Sequence, residues 1–189
     1  FRLADIVNGL NLQMFLYLFN VCADGSNPYA GVPAGVLYMH AARSVLTVET
    51  KSSAESDIAG QEDKAFGMNG IVITNPDCDI PAAMEHDLAG KYIPVRLKKS
   101  GVGGSLASLE QLGLLQRKIE ALVADMGNAL QNGQIGQHPV QAKDHDKTCE
   151  YCDFATVCAF KKSVTPRTYD DQTDSAVLAE LEKEGENHA

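Results

Sequence analysis

Three of the chain's five cysteines stand within ten residues, as Cys149-x2-Cys152-x5-Cys158, with Phe160 closing the segment. No other feature restricts the fold as much. Thiolates two residues apart reach one metal from a single turn, and a third can join from the next turn. A four-coordinate zinc or iron–sulfur site takes one further ligand. His145, four residues before Cys149, or His138 would complete a Cys3His zinc site. The alternative is three small buried hydrophobes among Tyr151, Phe154, Val157 and Phe160. Cysteine is otherwise confined to Cys22 and Cys78, and such clustering favours a site.

The 189 residues have room for one ordinary domain with a real core. A hydrophobic share of 44% and a charged share of 22% belong to the globular class. The formal net charge of −9 opposes nucleic-acid binding until its distribution is considered. Residues 170–189 carry seven acidic side chains against Lys183, whereas Lys91, Arg96, Lys98, Lys99, Arg117 and Lys118 face only Glu110 across 91–118. A local basic face is therefore compatible with the negative total. Gly9, Asn11 and Gln13 interrupt the N-terminal apolar run, which has neither the length of a membrane span nor the basic flank of a signal peptide. Five unevenly spaced cysteines make no disulfide framework, so a reducing cytoplasm is expected. Opening on Phe1 and entering a helical pattern at once, the chain reads as a piece of a longer protein.

Apolar residues recur at three- and four-residue steps from Leu3 to Val21, predicting a helix over 2–22. Residues 34–48 read as one strand or two short ones, and the polar stretch 49–64 as a mobile loop. Further strands are predicted at 70–74 and 92–97, with a short helix over 80–87 and a flexible Gly101–Gly104. Ser105 is the expected N-cap of a long helix over 106–131. After Lys162 the apolar content falls away until Val177, Leu178 and Leu181, so 163–189 is expected to be an acidic tail, disordered or a weak solvated helix.

No H-E-x-x-H, G-x-S-x-G or Walker-type loop is present. The carboxylate pairs Asp77/Asp79, Asp144/Asp146 and Asp170/Asp171 lie in turn or tail contexts, and no Asp-x-Lys or Glu-x-Lys falls on a predicted buried strand. Gln13 and Tyr17, four apart on the first helix, project from one face. Buried, an amide and a phenol need partners, which a core network or a nearby phosphate would supply.

Gln13-x3-Tyr17, then Ala34-Gly-Val-Leu-Tyr-Met-His40, then the Cys149–Cys152–Cys158 spacing, in this order, resemble the C-terminal nuclease domain of AddB/RexB-type subunits of bacterial ATP-dependent helicase–nucleases. These belong to the RecB-like PD-(D/E)XK nuclease group. The resemblance covers residues 1–162 and implies an α/β fold: the C-terminal part of a restriction-endonuclease-like core, a mixed sheet with flanking helices. It implies a 4Fe–4S cluster held by Cys149, Cys152 and Cys158, with a fourth cysteine far upstream that neither Cys22 nor Cys78 matches. The family's metal-binding Asp and its Asp-x-Lys precede the Gln13 helix. Gln13 and Tyr17 would then have helper roles around Mg²⁺-dependent hydrolysis of DNA phosphodiesters in double-strand-break repair and recombination.

On this reading residues 1–162 are a partial nuclease domain, inactive alone, with the cysteine segment at 145–162. Its partners would be DNA and an AddA-like helicase–nuclease subunit, with no membrane. Sheet edge and apolar helix face exposed without the preceding strands would favour self-association. The rival reading is a zinc-stapled, non-catalytic module binding DNA or protein through the 91–118 face.

Overall fold

The computed structural model describes residues 1–41, 66–142, 149, 152–158 and 166–187. The chain forms two compact units, one of Phe1 with Met14–Gly113, the other of Arg2–Gln13 with Leu114–Ala189.

The first unit is built on strand β2 (Asn69–Thr74), whose Ile71, Val72 and Ile73 are fully buried. A strand covered on both faces carries a continuous apolar run rather than an alternating one. β1 (Gly35–Tyr38) pairs with it antiparallel, Val36 opposite Ile71, and β5 (Leu106–Ser108) pairs parallel, Leu106 opposite Val72. The result is a mixed sheet in the order β1-β2-β5. Gly70 has φ +150°, and a Cβ there would overlap the Val36 carbonyl oxygen, so close pairing of β1 with β2 requires glycine.

Helix α2 (Gln13–Ala23) buries Phe15 completely, and its ring lies 6.0 Å from that of Phe19 and 6.3 Å from that of Phe1. Phe1 in turn stands 5.9 Å from Tyr38 at the end of β1. Beyond β2 comes the short helix α3 (Ile80–Met84), whose N-cap Asp79 accepts the Ala82 N–H at 3.2 Å. Val72, Leu88, Ile93 and Val95 form the buried cluster beneath the sheet, with Leu37, Met68, Ile80 and Leu106 against it.

Two expectations change here. Gly101–Gly104 is not a loose linker: it is β4, paired antiparallel with β3 (Val95–Lys98). The long helix, α4 (Leu109–Gln131), begins three residues later than expected, because 106–108 extend the sheet instead. Its cap is Ser108, not Ser105. Ser108 Oγ accepts the Gln111 N–H at 3.1 Å and the Ser108 N–H donates to Gln111 Oε1 at 2.8 Å, a reciprocal capping box. Leu112, Leu115 and Ile119 are buried, while Val123, Met126 and Leu130 further along are exposed.

In the second unit the helix expected over 2–22 is cut short. α1 (Leu3–Val7) ends where Gly9 and Asn11 take φ of +89° and +56°, and α2 starts afresh at Gln13. Left-handed residues stop a helix, and glycine and asparagine adopt that conformation cheaply. β6 (Val140–Ala142) pairs parallel with β7 (Arg167–Tyr169). A four-residue helix, α5 (Ala155–Cys158), lies between them in sequence. In the tail read over 163–189 as disordered or a weak solvated helix, the described residues form β7 and the helix α6 (Asp174–Asn187), which is anchored by burial of Val177, Leu178 and Leu181. Three apolar residues at helical spacing suffice once α1 is there to meet them, and α1 does contact α6. The part of the 34–48 strand reading beyond residue 41 and the loop read over 49–64 lie outside the described residues.

Candidate functional site

Helix α2 carries the Gln13–Tyr17 pair. At 100° per residue each lies about 200° from Phe15, while the two differ by about 40°. Anchoring by Phe15 and Phe19 therefore turns Gln13 and Tyr17 outward. Gln13 is exposed and Tyr17 is 55% exposed. The expectation of a buried amide–phenol pair is thereby corrected, since the aromatic stripe took the inner face.

The cysteine segment lies in the second unit. Cys149 and Cys158 are half-buried and Cys152 is exposed. The N–H groups of Val157 and Cys158 donate to the Phe154 carbonyl at 3.1 and 2.8 Å, closing the single turn of α5. Among the described residues of the segment, Phe154 is 74% exposed and Val157 86% exposed. The donor chemistry of three thiols suits zinc or an iron–sulfur cluster. The geometry does not assemble one: among the described residues no three cysteine, histidine, aspartate or glutamate side chains gather to hold a metal. His145, Tyr151 and Phe160 lie outside the described residues, and His138 is exposed.

Cys22, on α2, is half-buried and Cys78 is exposed in the turn after β2. Of the carboxylate pairs, Asp79 serves as the cap of α3 and Asp171 lies 3.6 Å from Arg2. Asp144 and Asp146 lie outside the described residues.

The basic stretch of 91–118 separates. Lys118, in the second unit, pairs with Glu184 at 3.0 Å. Lys91, Arg96, Lys98 and Lys99 are exposed on and beside the β3–β4 hairpin of the first unit. Residues 85–93, which lead into that hairpin, are held by a carboxylate that sequence inspection missed. Glu85 is 8% exposed and accepts the N–H groups of Lys91 at 2.9 Å and of Tyr92 and Ile93 at 3.1 Å. Burial alone raises its pKa, but those bonds together with the Gly90 N–H outweigh it and hold the group ionised below its ordinary range. The strand expected over 92–97 alternates through Val95-Arg96-Leu97-Lys98, but its pairing across the two-residue connection Lys99-Ser100 with Gly101–Gly104, expected to be flexible, was not read from the sequence.

Residues 2–159 match the family model of the PD-(D/E)XK nuclease superfamily, and the chain belongs to that superfamily. Its mixed sheet and flanking helices are a portion of that nuclease fold. The chain is 31% identical, over 98% of its length, to the B subunit of the ATP-dependent helicase/deoxyribonuclease of Oceanobacillus iheyensis. It is 30% and 29% identical, over 96% of its length, to the proteins of the same description from Bacillus thuringiensis and Bacillus anthracis. It spans 16–17% of the length of these curated relatives.

Proposed function

We propose that this chain is part of the nuclease domain of an ATP-dependent helicase–nuclease subunit of the AddB type, acting on DNA in double-strand-break repair and recombination. The observation that carries the reading is the superfamily match over residues 2–159, together with relatives of a single description aligned along nearly the whole chain. DNA and an AddA-like subunit are its partners, and the cytoplasm its compartment. No described helix is long and apolar enough to cross a membrane.

In this reading Mg²⁺ supplies charge neutralisation at the scissile phosphate and an activated water. The chain's own contribution is positioning. Gln13, at the exposed start of α2, hydrogen-bonds a phosphate oxygen or the attacking water, and Tyr17, one turn on, steadies it. The carboxylates and lysine of the family motif are supplied by preceding residues of the longer protein, so residues 1–189 alone are inert. Cys149, Cys152 and Cys158 provide three ligands of a 4Fe–4S cluster, whose role is to tie distant segments together.

The test uses two proteins. The 189-residue chain is expected to leave DNA intact in Mg²⁺. In the longer protein, Gln13→Ala is expected to slow Mg²⁺-dependent degradation by about 10²-fold, the cost of losing a positioning contact. Cleavage by the chain alone that Gln13→Ala abolishes would overturn the division of labour. An unchanged rate in the longer protein would remove Gln13 from the site.

A further inference from the structure

We propose that the β3–β4 hairpin is the element with which this chain grips the sugar–phosphate backbone of DNA, independently of base sequence. The proposal rests on the nuclease reading above and adds to it a specific binding surface.

Four observations meet in the hairpin. From Leu88 to Leu109 the chain holds Lys91, Arg96, Lys98 and Lys99 and no acidic residue, within a protein whose formal net charge is −9. The neighbouring carboxylates are already engaged: Glu85 by backbone N–H groups, and Asp87 by the His86 ring at 3.0 Å. Among the described residues Arg96, Lys98 and Lys99 form no ion pair, unlike Lys118. Their charge is left for an external anion.

The register adds shape to the charge. Arg96 lies opposite Gly103 and Lys98 opposite Gly101, whereas Leu97 lies opposite Val102. Alternation puts Arg96 and Lys98 on one face, and the facing strand contributes no side chain there. The Lys98 alkyl chain lies across Gly103, so close that a Cβ on Gly103 would come within 3.2 Å of Cδ. Over Gly101, where a Cβ would meet nothing within 4 Å, a phosphodiester can approach the ribbon closely, beside Lys98.

The hairpin is also fixed at its base. The Leu97 N–H donates to the Leu88 carbonyl at 2.8 Å, and the Ser105 N–H to the Pro94 carbonyl at 2.9 Å. Glu85 holds residues 91–93, and Gly90, at φ +71°, allows the loop to pass where a Cβ would be 3.1 Å from Arg96 Cβ. A ribbon held this way has less conformational entropy to lose on binding. Finally, residues 95–104 contain no Asn, Gln, Asp, Glu or His to read base edges. Phosphate contacts by lysine and arginine position a strand without specifying sequence, and guanine is the one base these side chains could read.

The experiment measures fluorescence anisotropy of labelled single-stranded and duplex oligonucleotides, each in two unrelated sequences, between 50 and 200 mM salt. It compares the unsubstituted chain, Arg96→Gln/Lys98→Gln/Lys99→Gln, and the charge-matched Arg117→Gln/Lys118→Gln/Lys183→Gln, with melting curves to confirm folding. Three phosphate contacts contribute about 0.7 to 0.9 each to the salt slope. The hairpin variant should thus lose about 2 to 3 from that slope, flattening the affinity drop over this range by roughly 20- to 40-fold. The matched variant should bind as the unsubstituted chain does, and the two sequences should bind alike. Equal binding by the two variants would overturn the hairpin assignment while leaving DNA binding, and with it the nuclease reading, in place. A chain that binds neither oligonucleotide at 50 mM salt would overturn both.

Discussion

The Tyr169 hydroxyl donates to the Asp5 carboxylate at 2.6 Å, joining residues 164 apart in sequence. The same carboxylate receives Arg2 at 2.9 Å, while the Leu3 N–H donates to Asp174 at 2.8 Å. The start of the second unit is thus locked to its last strand and helix by polar contacts around α1. Burial, then the hydrogen bond and charge of Asp5, push the Tyr169 phenol up to about 12.

Tyr169→Phe should therefore cost about 1–2 kcal/mol at neutral pH, the scale of a part-buried hydrogen bond to a charged group. The folded pKa lies above the ordinary value of 10, so the folded state binds the proton more tightly. This contribution is whole below pH 10 and lost as pH rises from 10 towards 12. Urea melts at pH 7 and pH 11 check it: the unsubstituted chain should lose its advantage over Tyr169→Phe at the higher pH. A constant difference would assign the effect to packing.

Glu85 gives the opposite pH dependence. Its folded pKa is depressed below the ordinary 4.5, so its stabilisation is present above that value and lost as pH falls through the folded one. Glu85→Ala leaves three buried or half-buried N–H groups without their acceptor and should cost about 2–3 kcal/mol, with Glu85→Gln costing less. Thermal melts between pH 7 and pH 3 would show both. Because residues 85–93 support the hairpin, amide exchange at Leu97 should accelerate in Glu85→Ala.

Two glycines should respond with opposite sign. Gly70→Ala forces a Cβ into the Val36 carbonyl at a φ of +150° and should destabilise by more than about 3 kcal/mol or prevent folding. Gly127, inside α4, has open space for 4 Å around the point where a Cβ would stand, so Gly127→Ala should stabilise by about 0.5–1 kcal/mol. Denaturant midpoints decide both, and a stable Gly70→Ala would disprove the strand pairing described for β1 and β2.

Metal content separates the readings of the cysteine segment. Iron and acid-labile sulfide in equal amounts in the anaerobically purified chain, both lost in Cys152→Ser, would support the cluster, with a thiol from outside residues 1–189 as its fourth ligand. The chain alone holding none is equally compatible with a cluster in the longer protein. Stoichiometric zinc lost in the same variant would instead identify a zinc staple. Neither metal would show that residues 1–189 do not retain a cluster.

Much of the first unit was legible because its signals are local. Ile71, Val72 and Ile73 form an unbroken apolar run, and a buried central strand has no solvent face to interrupt it. The family was legible from Gln13, Tyr17 and the cysteine spacing taken in order, and the superfamily match agrees. The direction in which Gln13 and Tyr17 point was not, because helical spacing says which residues share a face, not which face is covered. Phe15 and its ring neighbours settled that.

What sequence alone determined were the properties carried by short-range chemistry: the β2 strand, the thiol spacing and the family. Tertiary structure decided matters that depend on a distant partner. Leu106–Ser108 became strand because β2 lay alongside to accept its backbone, moving the helix cap to Ser108. Gly101–Gly104 became an ordered ribbon because Val95–Lys98 supplied the opposite strand. Residues 174–187, largely polar, became a helix because burial of Val177, Leu178 and Leu181 offsets the entropy of ordering them, and that burial needs distant partners, α1 among them.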